Sequence, residues 1–172
     1  MDTRRSFLLR WTVRRCFKRR QLFDQFYGLA EVLLWRNHAF MELTDPSMGP
    51  YEGPFESQVA FATIAGLDLQ VSNGGLLQYF WNCPGWVDYA SDALRAIDLP
   101  ALADCFDNSL AEMVSRIPEY RKFQERGSLQ AFSDCAREFS FNEFDSAYYK
   151  HKDQVYANTV AFVARNLSEF IA

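Results

Sequence analysis

Gln70-Val71-Ser72-Asn73-Gly74-Gly75-Leu76-Leu77-Gln78-Tyr79-Phe80-Trp81-Asn82 sets an Asn-Gly-Gly triplet directly against large apolar and aromatic side chains. Such a triplet ordinarily marks a surface turn, and a surface turn does not keep this company. The triplet is therefore expected inside or against a packed core. Three readings are open. If a helix runs on, Gly74, Gln78 and Asn82 fall at i, i+4 and i+8. Gly74 or Gly75 then admits a neighbouring helix closely, while Asn73 satisfies a backbone group. Alternatively, a glycine supplies a positive φ and the chain turns between two helices. A phosphate-binding turn is the third, but the G-x-G-x-x-G and Gly-Lys-Ser/Thr patterns are both missing. The structural readings are favoured, because buried amides ordinarily serve backbone groups.

On both sides of this stretch, apolar residues recur at helical steps almost everywhere. Leu22, Phe23, Phe26, Tyr27, Ala30, Leu33 and Leu34 line one face of a first helix, which the pattern allows to reach back into the N-terminal segment. Thr44 to Pro54 holds three Pro and two Gly and reads as a loop. A second helix starts near Phe55, passes through the opening motif and stops at Pro84-Gly85. A third spans about Trp86 to Ile97 and a fourth about Ala101 to Ile117, where Pro118 either starts a new segment or kinks the old one. Ser128 caps a short helix. Phe139, Phe141, Phe144 and Tyr148 form an aromatic knot near a turn, and a last helix runs from about Lys152 to Phe170. Nothing alternates with period two. The fold class is all-α: a single compact multi-helix domain, residues 21–172, with a basic N-terminal helical extension, residues 1–20.

The length of 172 residues suits one domain, which buries roughly 70% of the surface its unfolded chain exposes. Aromatic content is high, at 16% with 16 Phe, so the core is expected to be large. The four cysteines, at 16, 83, 105 and 135, form no C-x-x-C pair, and the two histidines, His38 and His151, lie far apart. That spacing argues against structural zinc, and free buried thiols fit a reducing cytoplasm. No apolar run approaches the roughly 20 residues that span a bilayer, and no signal-peptide core is visible. Neither metal nor cofactor is assigned, and no membrane partner is expected. His38, near a helix end, is assigned to the helix dipole.

Charge departs most from the ordinary. Residues 1–20 hold eight bases and one acid, net +7, whereas residues 21–172 hold ten bases and twenty-one acids, net −11. Between 37 and 115 the only base is Arg95, against Glu42, Asp45, Glu52, Glu56, Asp68, Asp88, Asp92, Asp98, Asp104, Asp107 and Glu112. Ordinary surfaces intersperse the two signs, and sustained self-repulsion destabilises, so a partner or a solubility role is indicated. Asp88 and Asp92, and nearly Asp104 and Asp107, lie one helical turn apart, about 5–6 Å. Carboxylates at that pitch imitate a line of nucleic-acid phosphates. The partner-binding residues assigned are Asp88, Asp92, Asp98, Asp104, Asp107 and Glu112. The Arg-rich extension suits nucleic acid, with Phe7, Trp11 and Phe17 suiting single strands. Neutralisation by the acidic body, in the same chain or a dimer partner, is favoured over it. No H-E-x-x-H or G-x-S-x-G appears, so no catalytic residue is assigned.

The motif, with Gly85 and Ala93-Leu94-Arg95-Ala96-Ile97 after it, resembles the bacterial DNA-mimic-protein family. The residues that carry the resemblance are Val71, Asn73, Gly74, Gly75, Gln78, Tyr79, Phe80 and Asn82, and it extends more weakly through Phe144 and Tyr148-Tyr149. It implies an all-helical fold and, for the member that names the family, an acidic dimer surface shaped like duplex DNA that occupies a DNA-binding protein. Gln70, where an acid often stands, and the Arg-rich start depart from that pattern. The sequence thus points to a non-enzymatic, cytoplasmic bacterial protein that presents an acidic helical surface to a basic partner. Its alternatives are an immunity-type or other regulatory binding protein, or an enzyme using the motif amides.

Overall fold

The computed structural model describes residues 10, 12–35, 44–45, 49–50 and 56–170. Its helices are α1 (Leu22–Ala30), α2 (Glu56–Asn82), α3 (Val87–Ala96), α4 (Pro100–Ser115), α5 (Ile117–Glu125), α6 (Leu129–Glu138), α7 (Asn142–Arg165) and α8 (Leu167–Phe170). A π-helical turn, Glu31–Trp35, extends α1, and a 3-10 turn, Pro84–Trp86, comes after α2. Within the stretch read as a loop, Thr44–Asp45 pairs antiparallel with Gly49–Pro50. The all-α class is confirmed. The helix-end role of His38, the aromatic residues Phe7 and Trp11, and the acids Glu42 and Glu52 lie outside the described residues.

Local chemistry explains the element ends. Pro100 opens α4 and Pro118 stands in the first turn of α5, where a missing N–H costs nothing. Asp98 adopts φ +60° in the link between α3 and α4, a region that Asp tolerates better than most residues. Ser128 caps α6 as its sequence announces, its Oγ accepting from the Ala131 N–H at 3.1 Å.

Two expectations change. The first helix does not run back into the basic segment: residues 12–16 are helical, but Gln21 is extended, with φ −100° and ψ 138°. The chain folds back there because the Arg19 guanidinium donates to the Asp24 carbonyl at 3.0 Å and the Gln25 amide donates to the Arg19 carbonyl at 2.6 Å. The last long helix begins at Asn142, not near Lys152. Phe144 and Tyr148 are its first buried face, and the aromatic residues part to different neighbours. Phe139 meets Tyr120 at 5.8 Å, Phe141 meets Phe80 at 5.2 Å, and Phe144 meets Phe106 at 5.7 Å. Edge-on pairs at such distances contribute about 0.5–1.5 kcal/mol each beyond area burial.

Helix α2 is the spine. It packs on α3, α7 and α8, while α1 lies on α7, α4 bridges α3 and α7, and α5 pairs with α6. Phe26, Phe61, Tyr79, Phe80, Phe106, Phe139, Phe144 and Tyr148 are fully buried along it. Among the described residues no helix is long and apolar enough to cross a membrane.

Candidate functional site

The motif breaks α2 in two. Gly74 (φ −163°) and Gly75 (φ +76°, ψ −177°) leave helical conformation, so the turn reading holds at Gly75, in the region that glycine alone enters freely. A break exposes unpaired backbone groups on both sides, and α7 satisfies them. Tyr149 Oη donates to the Val71 carbonyl at 3.0 Å, and Asp145 Oδ1 accepts from the Leu76 N–H at 2.8 Å. A Cβ on Gly75 would lie 2.5 Å from Asp145 Oδ2. Asp145 therefore caps the second half of α2 from another helix, an anion at a helix N-terminus. Burial raises its carboxyl above the ordinary range, and the Leu76 bond opposes that rise.

The rest of the motif divides between core and surface. Val71, Tyr79 and Phe80 are buried, and Tyr79 Oη donates to the Trp86 carbonyl at 3.0 Å. Asn73 is exposed and makes no side-chain hydrogen bond among the described residues, so it does not serve the backbone as expected. The amides of Gln78 and Asn82 both donate to Gln70 Oε1, at 2.9 and 2.7 Å. They border an open groove of 540 Å³ shared with Trp81, Gln124, Leu129 and Phe132. Among the described residues no titratable side chain lines that groove, so the motif amides meet no acid or base there with which to do chemistry.

The buried acid lies elsewhere. Asp68, counted in the sequence with the acids of the middle, is 0% exposed. Tyr148 Oη donates to it at 2.8 Å, Tyr156 Oη at 3.2 Å, and Tyr27 Oη also donates. Lys152 Nζ stands 3.7 Å away and donates to Ser72 Oγ at 2.7 Å. Burial, then the Asp68 carboxylate, raises the hydroxyls of Tyr148 and Tyr156; for Tyr27, burial and then the Asp68 hydrogen bond do the same. All three remain protonated donors. A carboxylate engaged by three donors and closed to solvent pins α1, α2 and α7 together; it offers nothing to a substrate. The sequence reading missed this centre. Its signal was the run Phe61, Ile64, Asp68, Val71, which places the acid on the buried face of α2.

The six assigned partner-binding acids all fall on the α3–α4 hairpin. Asp88 and Asp92 are exposed on α3, Asp98 is in the link, and Asp104, Asp107 and Glu112 are on α4, with Asp107 half-buried. Arg95, the lone base, spans the two helices, its Nη2 2.7 Å from Asp104 and 2.9 Å from Asp107, and donates to Ser91 Oγ. Arg165 reaches Asp98 at 3.4 Å. Asp88, Asp92 and Glu112 have no ion pair among the described residues. Tyr89, 40% exposed, stands beside Asp88. The cysteines are free, and burial pushes the Cys83 thiol up to about 11, which leaves it unreactive.

No curated protein and no solved structure matches the chain significantly. A protein-family comparison does: the helical body, from the start of α2 to the end of α7, matches the DMP19-like protein family over residues 55–166, and the chain belongs to that family.

Proposed function

We propose that the α3–α4 hairpin is a partner-binding surface that receives a basic protein, of the kind that binds DNA, in place of nucleic acid. The observation that carries this reading is the set of exposed carboxylates Asp88, Asp92 and Glu112, which hold no ion pair among the described residues, beside Asp98 and Asp104, which meet Arg165 and Arg95. Membership of a DNA-mimic family supports it. Uncompensated charge of one sign steers an oppositely charged partner and raises its association rate. Tyr89 adds an aromatic face on which a lysine or arginine side chain can rest. The protein works in the bacterial cytoplasm and needs no catalytic group.

The test is capture from a bacterial lysate with the intact chain and with Asp88→Asn/Asp92→Asn/Glu112→Gln, at low and high salt. These three acids hold no ion pair among the described residues, so the variant alters charge without loosening the hairpin. A basic protein retained by the parent at low salt, released at high salt and lost from the variant is the expected result. Equal, salt-insensitive capture by both proteins sinks the reading, because screening falls to about 8 Å at physiological ionic strength.

A further inference from the structure

Residues 10–20 present Arg10, Arg14, Arg15, Lys18, Arg19 and Arg20, and all six are exposed. The segment is fastened down. Val13 is wholly buried and Cys16 is 2% exposed, both in the main core. Gly28 lets it approach α1 closely: a Cβ there would lie 2.8 Å from Arg19 Nη1 and 3.2 Å from Cys16 Sγ. The hydrogen bonds joining Arg19 to Asp24 and Gln25 complete the attachment. The cations thus stand on a fixed platform.

Four of these six cations pair with no carboxylate among the described residues. Arg95, Arg116, Arg126, Arg137, Lys152 and Arg165 each lie within ion-pair distance of a carboxylate. The side chains of Arg10, Arg14, Lys18 and Arg20 make no hydrogen bond or ion pair among the described residues. Of the six hairpin acids, Asp104 and Asp107 are held by Arg95 and Asp98 by Arg165, and none of the six pairs with this segment among the described residues. Phe17 packs half-buried on the core, so its ring is not offered for stacking on bases. Because charges beyond about 10 Å are largely screened at 0.1 M salt, the local array matters more than the net charge of −4.

We propose that residues 12–20, together with Arg10, are a docked cationic platform that binds the phosphate backbone of duplex nucleic acid without reading its sequence. Four such cations contacting four phosphates give a slope of log affinity against log salt near −3.6, at about −0.9 per contact. The affinity then falls on the order of 10²-fold between about 50 and 200 mM salt.

The experiment is a fluorescence-anisotropy salt series with the intact chain, a labelled duplex of mixed sequence and an unrelated duplex as competitor. Arg10→Gln/Arg14→Gln/Lys18→Gln/Arg20→Gln should keep the parent's melting temperature, lose at least about tenfold in affinity at low salt, and flatten the slope by about 3.6. Lys18→Gln alone should flatten it by about 0.9, which keeps the test open if the quadruple variant folds poorly. Absence of duplex binding by the parent at low salt overturns the proposal, as do equal slopes for parent and variants. Stronger attachment to phosphatidylserine vesicles than to duplex at matched phosphate concentration assigns the platform to membranes and overturns it too.

Discussion

Asp68 and Asp88 are the same residue type on neighbouring packed helices, yet the molecule uses them in opposite ways. Asp68 is wholly buried, wrapped by three tyrosine hydroxyls and backed by Lys152. Asp88 stands in solvent at the start of α3 with no ion pair among the described residues. A buried charge is tolerable only when hydrogen-bonded and paired, so the first region is rigid by necessity. An exposed charge costs the fold little, so the second region is free to serve a partner. The contrast separates an acid that builds the protein from acids that face outward.

The most damaging challenge to that contrast is Asp68→Ala. It strands the hydroxyls of Tyr27, Tyr148 and Tyr156 and leaves Lys152 without its counter-charge. Each buried donor left unsatisfied costs about 1–3 kcal/mol, and the loss of several kcal/mol lowers the melting temperature of a chain of this size by roughly 10 °C. Tyr148→Phe, which removes one donor to a charged acceptor, should cost about 1.5–3 kcal/mol. Thermal denaturation of both checks this, and parent-like melting of Asp68→Ala would show that the centre is not structural.

Second in size is Gly75→Ala, which tests whether the break in α2 belongs with the rigid region. The new methyl meets φ +76° and the Asp145 carboxylate together. A strained non-glycine backbone alone costs of order 1–3 kcal/mol, so a loss of about that size is expected from denaturant unfolding. Gly74→Ala should cost less, because its Cβ meets only the flexible Gln78 side chain. Equal effects at the two positions would mean that the glycines serve helix packing alone.

These residues also show what the sequence could and could not disclose. Helix positions, the Ser128 cap and the all-α class come from periodicity and punctuation, which are local. The burial of Asp68 was readable from Phe61, Ile64 and Val71 flanking it at helical steps. The partners were not: Tyr148 and Tyr156 lie 80 and 88 residues away along the chain. The same holds for Asp145, 69 residues from the amide it caps. Their role exists only once α7 lies against the break. The acids of the hairpin were legible as a run with one base, but their placement was not: it follows from α3 and α4 packing together across the short link Ile97-Asp98-Leu99.

Asp145 extends the contrast between buried and exposed acids to pH. Burial raises its folded carboxyl pKa above the unfolded value, so the native state holds the proton more tightly. Stability from this group is therefore full at low pH and declines as pH rises through the carboxylate range, by linkage. Asp145→Asn keeps an acceptor for the Leu76 N–H without the charge. Its melting temperature should run close to the parent's at low pH and gain on it as pH rises. A constant difference across that range would mean that burial of Asp145 is not felt as a charge.

The smallest effect on stability is expected on the acidic face, where the outward-facing acids are tested directly. Asp88→Asn/Asp92→Asn/Glu112→Gln changes only solvent-exposed groups, so the melting temperature should move by no more than about 2 °C. Arg95→Gln is more telling. It removes the one base from the hairpin and frees Asp104 and Asp107, whose bonds to it are exposed and contribute little to the fold. If the face receives a basic partner, Arg95→Gln should bind that partner more tightly than the parent, with a steeper salt dependence, while the triple variant binds less. Opposite shifts from two substitutions that barely alter melting cannot come from a folding defect. Weakened binding by Arg95→Gln would instead make the arginine a contact residue and recast the face as a mixed-charge interface.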